Sequence, residues 1–137
     1  MAIWFQISSG SDEPIYNQIV EQIENAIAKG KLNVGDKLPA VRKLAAELVI
    51  NPNTVARAYT ILEQRGLVAT KTGSGTFISS LSVKDIDAND MNILADRIDS
   101  VISRSLNLGI KPDELSSMFK SRLEKFVNQK SEEQKNG

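Results

Sequence analysis

The segment that most constrains the fold of this chain runs from Leu38 to Gly66 and contains two helical periodicities separated by a break. The first periodicity follows Pro39, and a proline suits the first position of a helix because its missing N–H would be unpaired there anyway. The second follows Asn51 and Pro52, an N-cap residue and another proline at a first helical position. Gly66 can then end the second helix in the left-handed conformation. The predicted apolar faces are Val41, Leu44, Ala45 and Leu48 in the first helix, and Val55, Ala58, Tyr59 and Leu62 in the second.

The second predicted helix has a polar face opposite its apolar stripe, because residues three and four apart lie on the same side of a helix. This polar face consists of Asn53, Thr54, Arg57, Thr60 and Gln64. Short hydrogen-bonding side chains at a helix start, with an arginine one turn further on, can reach phosphates and base edges in the major groove of DNA. Two amphipathic helices with a tight turn are nevertheless more often plain packing, so the residues that follow decide the interpretation.

A predicted β-hairpin follows the two helices directly. Leu67 to Thr70 and Thr76 to Ile78 are strand-like runs, and Lys71 to Gly75 between them is a turn rich in small residues. Two helices followed at once by a hairpin with a basic tip form a winged helix-turn-helix arrangement. The predicted fold class is therefore mainly α with a small β-hairpin wing.

Five linked motifs make the interpretation specific: PIYNQI at 14–19, GKLNVGDKLPAVRKLA at 30–45, NPNTVARAY at 51–59, LEQRGL at 62–67 and GSGTF at 73–77. In order and spacing they resemble the GntR family of bacterial transcription regulators over about residues 12–79. The short helical tail beyond them resembles the YtrA-type branch of that family. The resemblance implies a dimeric, sequence-specific DNA-binding repressor that binds an inverted-repeat operator, in this branch commonly beside transporter genes.

The resemblance also implies three groups of DNA contacts. Arg42 matches the family's phosphate-binding arginine, and the alternative is a solvated surface charge. Arg57 is placed for a guanine edge or a phosphate, and the alternative is a helical ion pair with Glu63 or Glu47, which would contribute little. Asn51 is expected both to cap its helix and to face the groove. The other predicted contacts are Asn53 and Thr54 in the recognition helix and Lys71, Thr72, Gly73 and Ser74 at the wing tip, for which a plain hairpin turn is the alternative.

The charge of the chain must be counted locally, because 17 basic and 17 acidic residues leave no net charge overall. From Lys37 to Thr76 the chain has six cations and two anions, which gives +4. Phosphate binding requires a basic face rather than a basic protein. Neutrality therefore does not exclude DNA, although it suggests a modest non-specific affinity that favours action as a dimer. The six cations are Lys37, Arg42, Lys43, Arg57, Arg65 and Lys71, and the two anions are Glu47 and Glu63.

Composition argues against several other classes of protein. The chain has no cysteine and no histidine, so it lacks disulfides, the commonest metal ligands and the commonest general base. We therefore predict no enzymatic activity, no cofactor and no metal site. No apolar run approaches the roughly 20 residues of a membrane span, and no secretory signal opens the chain, which favours the cytoplasm and no membrane partner. The alternative function is a protein-interaction adaptor, which an acidic or apolar recognition face would indicate.

The residues before the two central helices are predicted less fully. Ile3 to Ile7 is either an edge strand or an ordered arm. A first helix is predicted from Pro14 to Lys29, with Gly30 as its stop. On this helix, Tyr16 either packs or reaches a phosphate, and packing is favoured. The core stripe of the first helix is predicted as Ile15, Ile19, Ile23, Ala26 and Ile27.

The tail beyond Ser80 begins with a polar, acidic linker and continues with two helical patterns, one ending near Gly109 and one opening around Pro112. The charged end from Lys130 to Gly137 is expected to fray. We predict a winged helix-turn-helix domain at 1–80 and a two-helix dimerisation segment at 81–137. Two helices alone cannot bury both apolar stripes, so the tail either forms a symmetric dimer, which is favoured, or packs on the first domain. No small-molecule effector can be identified. The predicted dimerisation residues are Leu94, Ile98, Val101, Ile102, Leu115, Phe119 and Phe126.

Overall fold

The computed structural model describes residues 5–79 and 88–136, without the side chains of 133–136. The predicted linker at 80–87 and the residues before Phe5 lie outside the described residues. The chain divides into a first unit, Met1–Leu81 with Lys130–Gly137, and a second unit, Ser82–Gln129. The mainly α fold with a small hairpin is confirmed. Its elements are α1 (Ile15–Ala28), α2 (Val41–Leu48), α3 (Pro52–Gln64), β1 (Val68–Lys71), β2 (Gly75–Ile78), α4 (Ala88–Asn107) and α5 (Pro112–Asn136).

The core of the first unit lies where α3 packs against α1, α2 and β1. All four residues of the predicted α3 stripe are buried, whereas the outer residues of the α1 and α2 stripes are half-buried. Val20, Leu32 and Leu38 are also fully or almost fully buried, although the predicted helical stripes did not include them. Half-buried apolar residues, among them Phe5 and Ile7, pack against the same core cluster.

Residues 5–8 form an N-terminal arm that lies on α1 and, within the part of the chain that the structure describes, pairs with no strand. The Gln22 side chain accepts from the Gln6 N–H at 3.0 Å and donates to the Gln6 carbonyl at 2.8 Å. Gln18 makes the same two-way contact with the backbone of Ser8, at 2.9 and 3.0 Å, and also donates to the carbonyl of Glu13. Four helical residues and two extended residues each span about 6 to 7 Å. The spacing of Gln18 and Gln22 along α1 therefore matches the spacing of Ser8 and Gln6 along the arm. The two side chains make the backbone hydrogen bonds that a neighbouring strand would otherwise make.

The helix α2 begins at Val41, so the prediction that it opens at Pro39 was wrong by two residues. Leu38 donates its N–H to the Thr76 carbonyl at 2.8 Å, and the Pro39 carbonyl accepts the Tyr59 hydroxyl at 2.8 Å. These two contacts keep the chain extended as far as Ala40. Burial raises the pKa of the Tyr59 phenol well above its usual range, so this hydroxyl remains a donor.

The wing contains one more strand-like segment than the sequence predicted. β1 and β2 pair antiparallel, with Val68 opposite Ile78 and Lys71 opposite Gly75, each strand reaching one residue further towards the turn than predicted. The segment at 35–38 pairs with the other edge of β2, through an isolated bridge between Lys37 and Phe77. The wing is thereby attached to the residues that lead into α2.

The first four helices end in the same backbone motif. In each, the residue directly after a left-handed residue donates its N–H to a carbonyl five residues earlier, as Ile50 does to Ala45 at 3.0 Å and Ile110 to Ser105 at 3.0 Å. This Schellman motif requires a left-handed residue, which is normally glycine. Glycine occupies that position after α1, α3 and α4, including the predicted stops Gly30, Gly66 and Gly109. After α2 the position is filled by Val49, with φ 56° and its side chain 88% exposed.

The helices of the second unit expose most of their apolar residues. Ser105 is buried and donates its hydroxyl to the Val101 carbonyl at 2.7 Å. The backbone of α5 is helical to Asn136, and the fraying expected from Lys130 stays a prediction. Every helix in the described ranges is too short or too polar for a membrane span.

We predict that Val49→Gly raises the free energy of unfolding by about 0.5–1 kcal/mol, measured by urea denaturation. Relief of left-handed strain, about 1–2 kcal/mol, exceeds the added entropy of the unfolded chain, roughly 0.5–1 kcal/mol. The matched control is Val34→Gly, because Val34 is also exposed but does not have a positive φ. This control should lose stability, and a loss in both variants would contradict the strain at Val49.

We predict that Gln18→Ala lowers the free energy of unfolding by about 1–3 kcal/mol, because the contacts to Ser8 and Glu13 are partly buried and would be left unpaired. Gln22→Ala provides the comparison, since its pair of contacts is exposed and water can replace it. Thermal unfolding should show a smaller loss for Gln22→Ala. Equal losses would mean that burial does not set the strength of these contacts.

Candidate nucleic-acid interface

The start of α3 is built as the sequence predicts. The Asn51 side chain accepts the Asn53 N–H at 2.8 Å, and Pro52 occupies the first helical position. This cap fixes the first turn of the helix. It leaves the Asn53 side chain exposed and the Thr54 side chain half-buried at the same end. Amide and hydroxyl groups on a rigid helix start can donate to and accept from base edges or phosphates.

Arg57 lies one turn further along α3, and its guanidinium stacks on an aromatic ring of another helix. The Arg57 Cζ lies 3.8 Å from the centroid of the Tyr16 ring on α1. Within residues 5–79, neither Glu47 nor Glu63 forms an ion pair with Arg57. The structure therefore does not contain the helical ion pair that was the alternative interpretation of this arginine. Glu63 instead accepts a long hydrogen bond from the Thr70 hydroxyl. The positive charge of Arg57 is therefore exposed and not neutralised by either of these acids.

The first turn of α2 carries two exposed cations, Arg42 and Lys43. This turn contains no acidic residue, and Ala40 provides no side-chain cap. A cation near a helix N-terminus is unfavourable, because the helix dipole and the unpaired N–H groups favour an anion there. A phosphate would satisfy both the side chains and these N–H groups.

The wing tip is a tight turn closed by the Ser74 N–H, which donates to the Lys71 carbonyl at 2.9 Å. Gly73 has φ 81°, at the turn position that requires a positive value. A Cβ on Gly75 would lie 2.7 Å from the Lys37 Cε, so the Lys37 side chain follows the wing backbone closely. The Lys71 ammonium lies 5.3 Å from the centroid of the Phe77 ring. Two lysines therefore place their ammonium groups along the same hairpin.

The net charge of the surface formed by the segment at 35–38, α2, α3 and the wing is lower than the +4 counted from the sequence between Lys37 and Thr76. Arg65 donates to Glu24 of α1 at 2.8 Å, and both side chains are about one third exposed. Removing Arg65 from the count leaves five cations and two anions from Lys37 to Thr76, or +3. The surface remains basic, and the remaining cations lie in the segment at 35–38, α2, α3 and the wing.

The nine predicted DNA-binding residues all lie in the first unit, and all except Thr54 are exposed. The sequence interpretation missed the stacking of Tyr16 on Arg57, since these residues are far apart in the chain. It included Lys37 only in the charge count. Only a third strand-like run in the sequence could have predicted that residues 35–38 pair with the wing. The sequence there, Gly35 to Lys37, is instead typical of a turn.

Comparisons with known proteins agree with this geometry. The sequence model for "Bacterial regulatory proteins, gntR family" matches residues 15–78. The HTH-type transcriptional repressor YtrA of Bacillus subtilis is 36% identical over 115 residues, which are 84% of this chain and 88% of that protein.

Two solved structures have similar folds. A crystal structure of a transcriptional antiterminator from Listeria monocytogenes superposes with a TM-score of 0.82 at 30% identity, covering 90% of this chain and 92% of the other. YtrA from Sulfolobus acidocaldarius, a GntR-family transcription factor, superposes with a TM-score of 0.58 at 34% identity, covering 72% of this chain and 99% of the other. The chain therefore belongs to the GntR family and is a winged helix-turn-helix, DNA-binding transcription regulator.

Proposed function

We propose that the chain acts in the cytoplasm as a homodimeric repressor, with α3 of each protomer in the major groove of an inverted-repeat DNA operator. The observation that carries the proposal is the exposed, capped start of α3, with Arg57 beside it and free of any acidic partner within the first unit's described residues. The YtrA relative in Bacillus subtilis is a repressor. Repression would follow from occupation of a promoter.

In this proposal each group of residues has a separate role. Asn53, Thr54 and Arg57 contact base edges or phosphates in the major groove, while Asn51 caps the helix at the groove's edge. Arg42 binds a phosphate together with the N–H groups at the start of α2. The remaining contacts come from the wing tip, namely Lys71, Thr72, Gly73 and Ser74, which approaches the minor groove.

The exposed apolar side chains of α4 and α5 support the proposed dimer. Phe119 is 61% exposed, and Val101 is 57% exposed. Soluble monomers rarely leave large contiguous apolar surfaces in water, and a second copy would cover both helices symmetrically. The proposed dimerisation residues are the exposed Leu94, Ile98, Val101, Ile102 and Phe119, with the half-buried Leu115 and Phe126.

A symmetric dimer would place its two recognition helices on half-sites about 10–10.5 base pairs apart or a multiple of that distance. The recognition face is neither acidic nor apolar, so it does not have the character that an adaptor surface would need. We propose that the protein acts by binding DNA alone, without enzymatic activity or a cofactor. Transporter genes are the targets that the family branch suggests.

We predict that Arg57→Ala weakens binding to a specific duplex by about 1–3 kcal/mol and relaxes its sequence preference. The duplex would be selected from a randomised pool with the wild-type protein. Affinity would be measured by fluorescence anisotropy at several salt concentrations, because phosphate contacts are salt-dependent. Lys71→Ala should weaken selected and scrambled duplexes alike.

The matched control for these variants is Gln64→Ala, which removes a polar side chain from the same helix two turns beyond Arg57 and should bind as the wild type does. If Arg57→Ala bound both duplexes as well as the wild type, its proposed contact would be refuted. A wild-type protein that never distinguished the selected duplex from the scrambled one would refute specific recognition itself.

We predict that Phe119→Glu converts the dimer to a monomer in sedimentation-velocity experiments, because a carboxylate on the apolar stripe would be desolvated at the interface. Ser121→Glu is the control, since it places the same group on α5 two residues away, on the opposite side of the helix. It should remain dimeric. A monomeric wild-type protein would instead favour packing of the tail within one chain.

A further inference from the structure

We propose that Tyr16 is a positioning residue that holds the guanidinium of Arg57 in the orientation in which it binds DNA. This inference rests on the proposed contact between Arg57 and DNA. It assigns Tyr16, which lies outside the helix-turn-helix and the wing, to the recognition surface. It also predicts that α1 contributes to DNA affinity without touching a base.

The geometry of the pair is that of a close cation–π contact. The separation of 3.8 Å between the Arg57 Cζ and the ring centroid is well inside the roughly 6 Å within which such contacts are favourable. The Tyr16 ring is half-buried in the first turn of α1, and α1 packs directly on α3. The ring is therefore a fixed surface, while Arg57 itself is exposed.

A ring is a suitable support for an arginine that must also bind a ligand. A guanidinium stacked on a ring by one face keeps its N–H donors at the edge, where a phosphate or a guanine can accept them. An acidic partner would occupy the same donors and would compete with DNA. The neutral ring of Tyr16 orders the side chain without consuming its charge or its hydrogen bonds.

Order in the free protein affects affinity because a long side chain loses conformational freedom when it binds. A flexible arginine loses that freedom at the moment of DNA binding, which weakens the complex. If Tyr16 already restricts Arg57, much of this loss has occurred during folding. The hydroxyl of Tyr16 has no part in this mechanism, which distinguishes it from a direct phosphate contact by the same residue.

The experiment is a double-mutant cycle on the selected duplex, with wild type, Tyr16→Leu, Arg57→Ala and the double variant, plus Tyr16→Phe as the conservative control. Tyr16→Leu should weaken binding by about 3- to 10-fold, and Tyr16→Phe should stay within about 2-fold of wild type because it keeps the ring. In the Arg57→Ala background, Tyr16→Leu should have no further effect. Thermal unfolding would be recorded for every variant.

The salt dependence tests whether Tyr16 itself contacts a phosphate, while the double-mutant cycle separates positioning from a purely structural role. Arg57→Ala should reduce the slope of log affinity against log salt by about one if Arg57 binds a phosphate. Tyr16→Leu should keep the wild-type slope while lowering the affinity, because the charge is still delivered to DNA.

Three results would overturn the proposal. If Tyr16→Phe lost as much affinity as Tyr16→Leu, the hydroxyl rather than the ring would be responsible. If Tyr16→Leu weakened binding equally with and without Arg57, its role would be packing of α1. If Tyr16→Leu bound as tightly as wild type while Arg57→Ala did not, the arginine would need no positioning. In contrast, wild-type affinity of Arg57→Ala would refute the proposed DNA contact of Arg57 itself.

Discussion

Four apolar side chains on the inner face of α3 pack against α1 and α2, and the orientation of the recognition surface depends on this burial. Burial of a side chain the size of Val55 or Leu62 contributes roughly 1.5–3 kcal/mol, so a rotation of α3 that exposed this face would be costly. Because the apolar face of α3 is fixed against the core, its polar face must point outwards. The same packing brings Tyr16 of α1 to Arg57. The buried residues are Val55, Ala58, Tyr59 and Leu62.

The wing is held in place by hydrogen bonds that begin next to α2. Leu38 bonds to Thr76, and the adjacent Pro39 carbonyl accepts the hydroxyl of Tyr59 on α3. Two adjacent residues, Leu38 and Pro39, therefore connect the start of α2 to strand β2 and to the middle of α3. The proposed contacts of α3 and the wing with two grooves of DNA would require this kind of rigid connection between the parts of the interface.

Glycine and valine at equivalent helix ends show where local conformational preference and tertiary packing diverge. Three helices end at a glycine in the left-handed conformation, as local energetics favour. Between α2 and α3 the same conformation is imposed on Val49, whose side chain is almost fully exposed. Strain of this kind persists only where the surrounding packing determines the backbone, and here α2 and α3 are both buried against the core.

The sequence by itself determined the two central helices, the Asn51 cap, the hairpin and the family, because helical periodicity, capping and turn residues act over a few neighbouring positions. Tertiary structure alone decided that α2 begins at Val41, that Gln18 and Gln22 bind the arm, and that Arg57 stacks on Tyr16 instead of pairing with an acid. These features join residues from 10 to 41 positions apart, as does the Arg65–Glu24 pair that lowered the local charge. No local pattern encodes such contacts, since they arise only when burial of the apolar faces brings separate helices together.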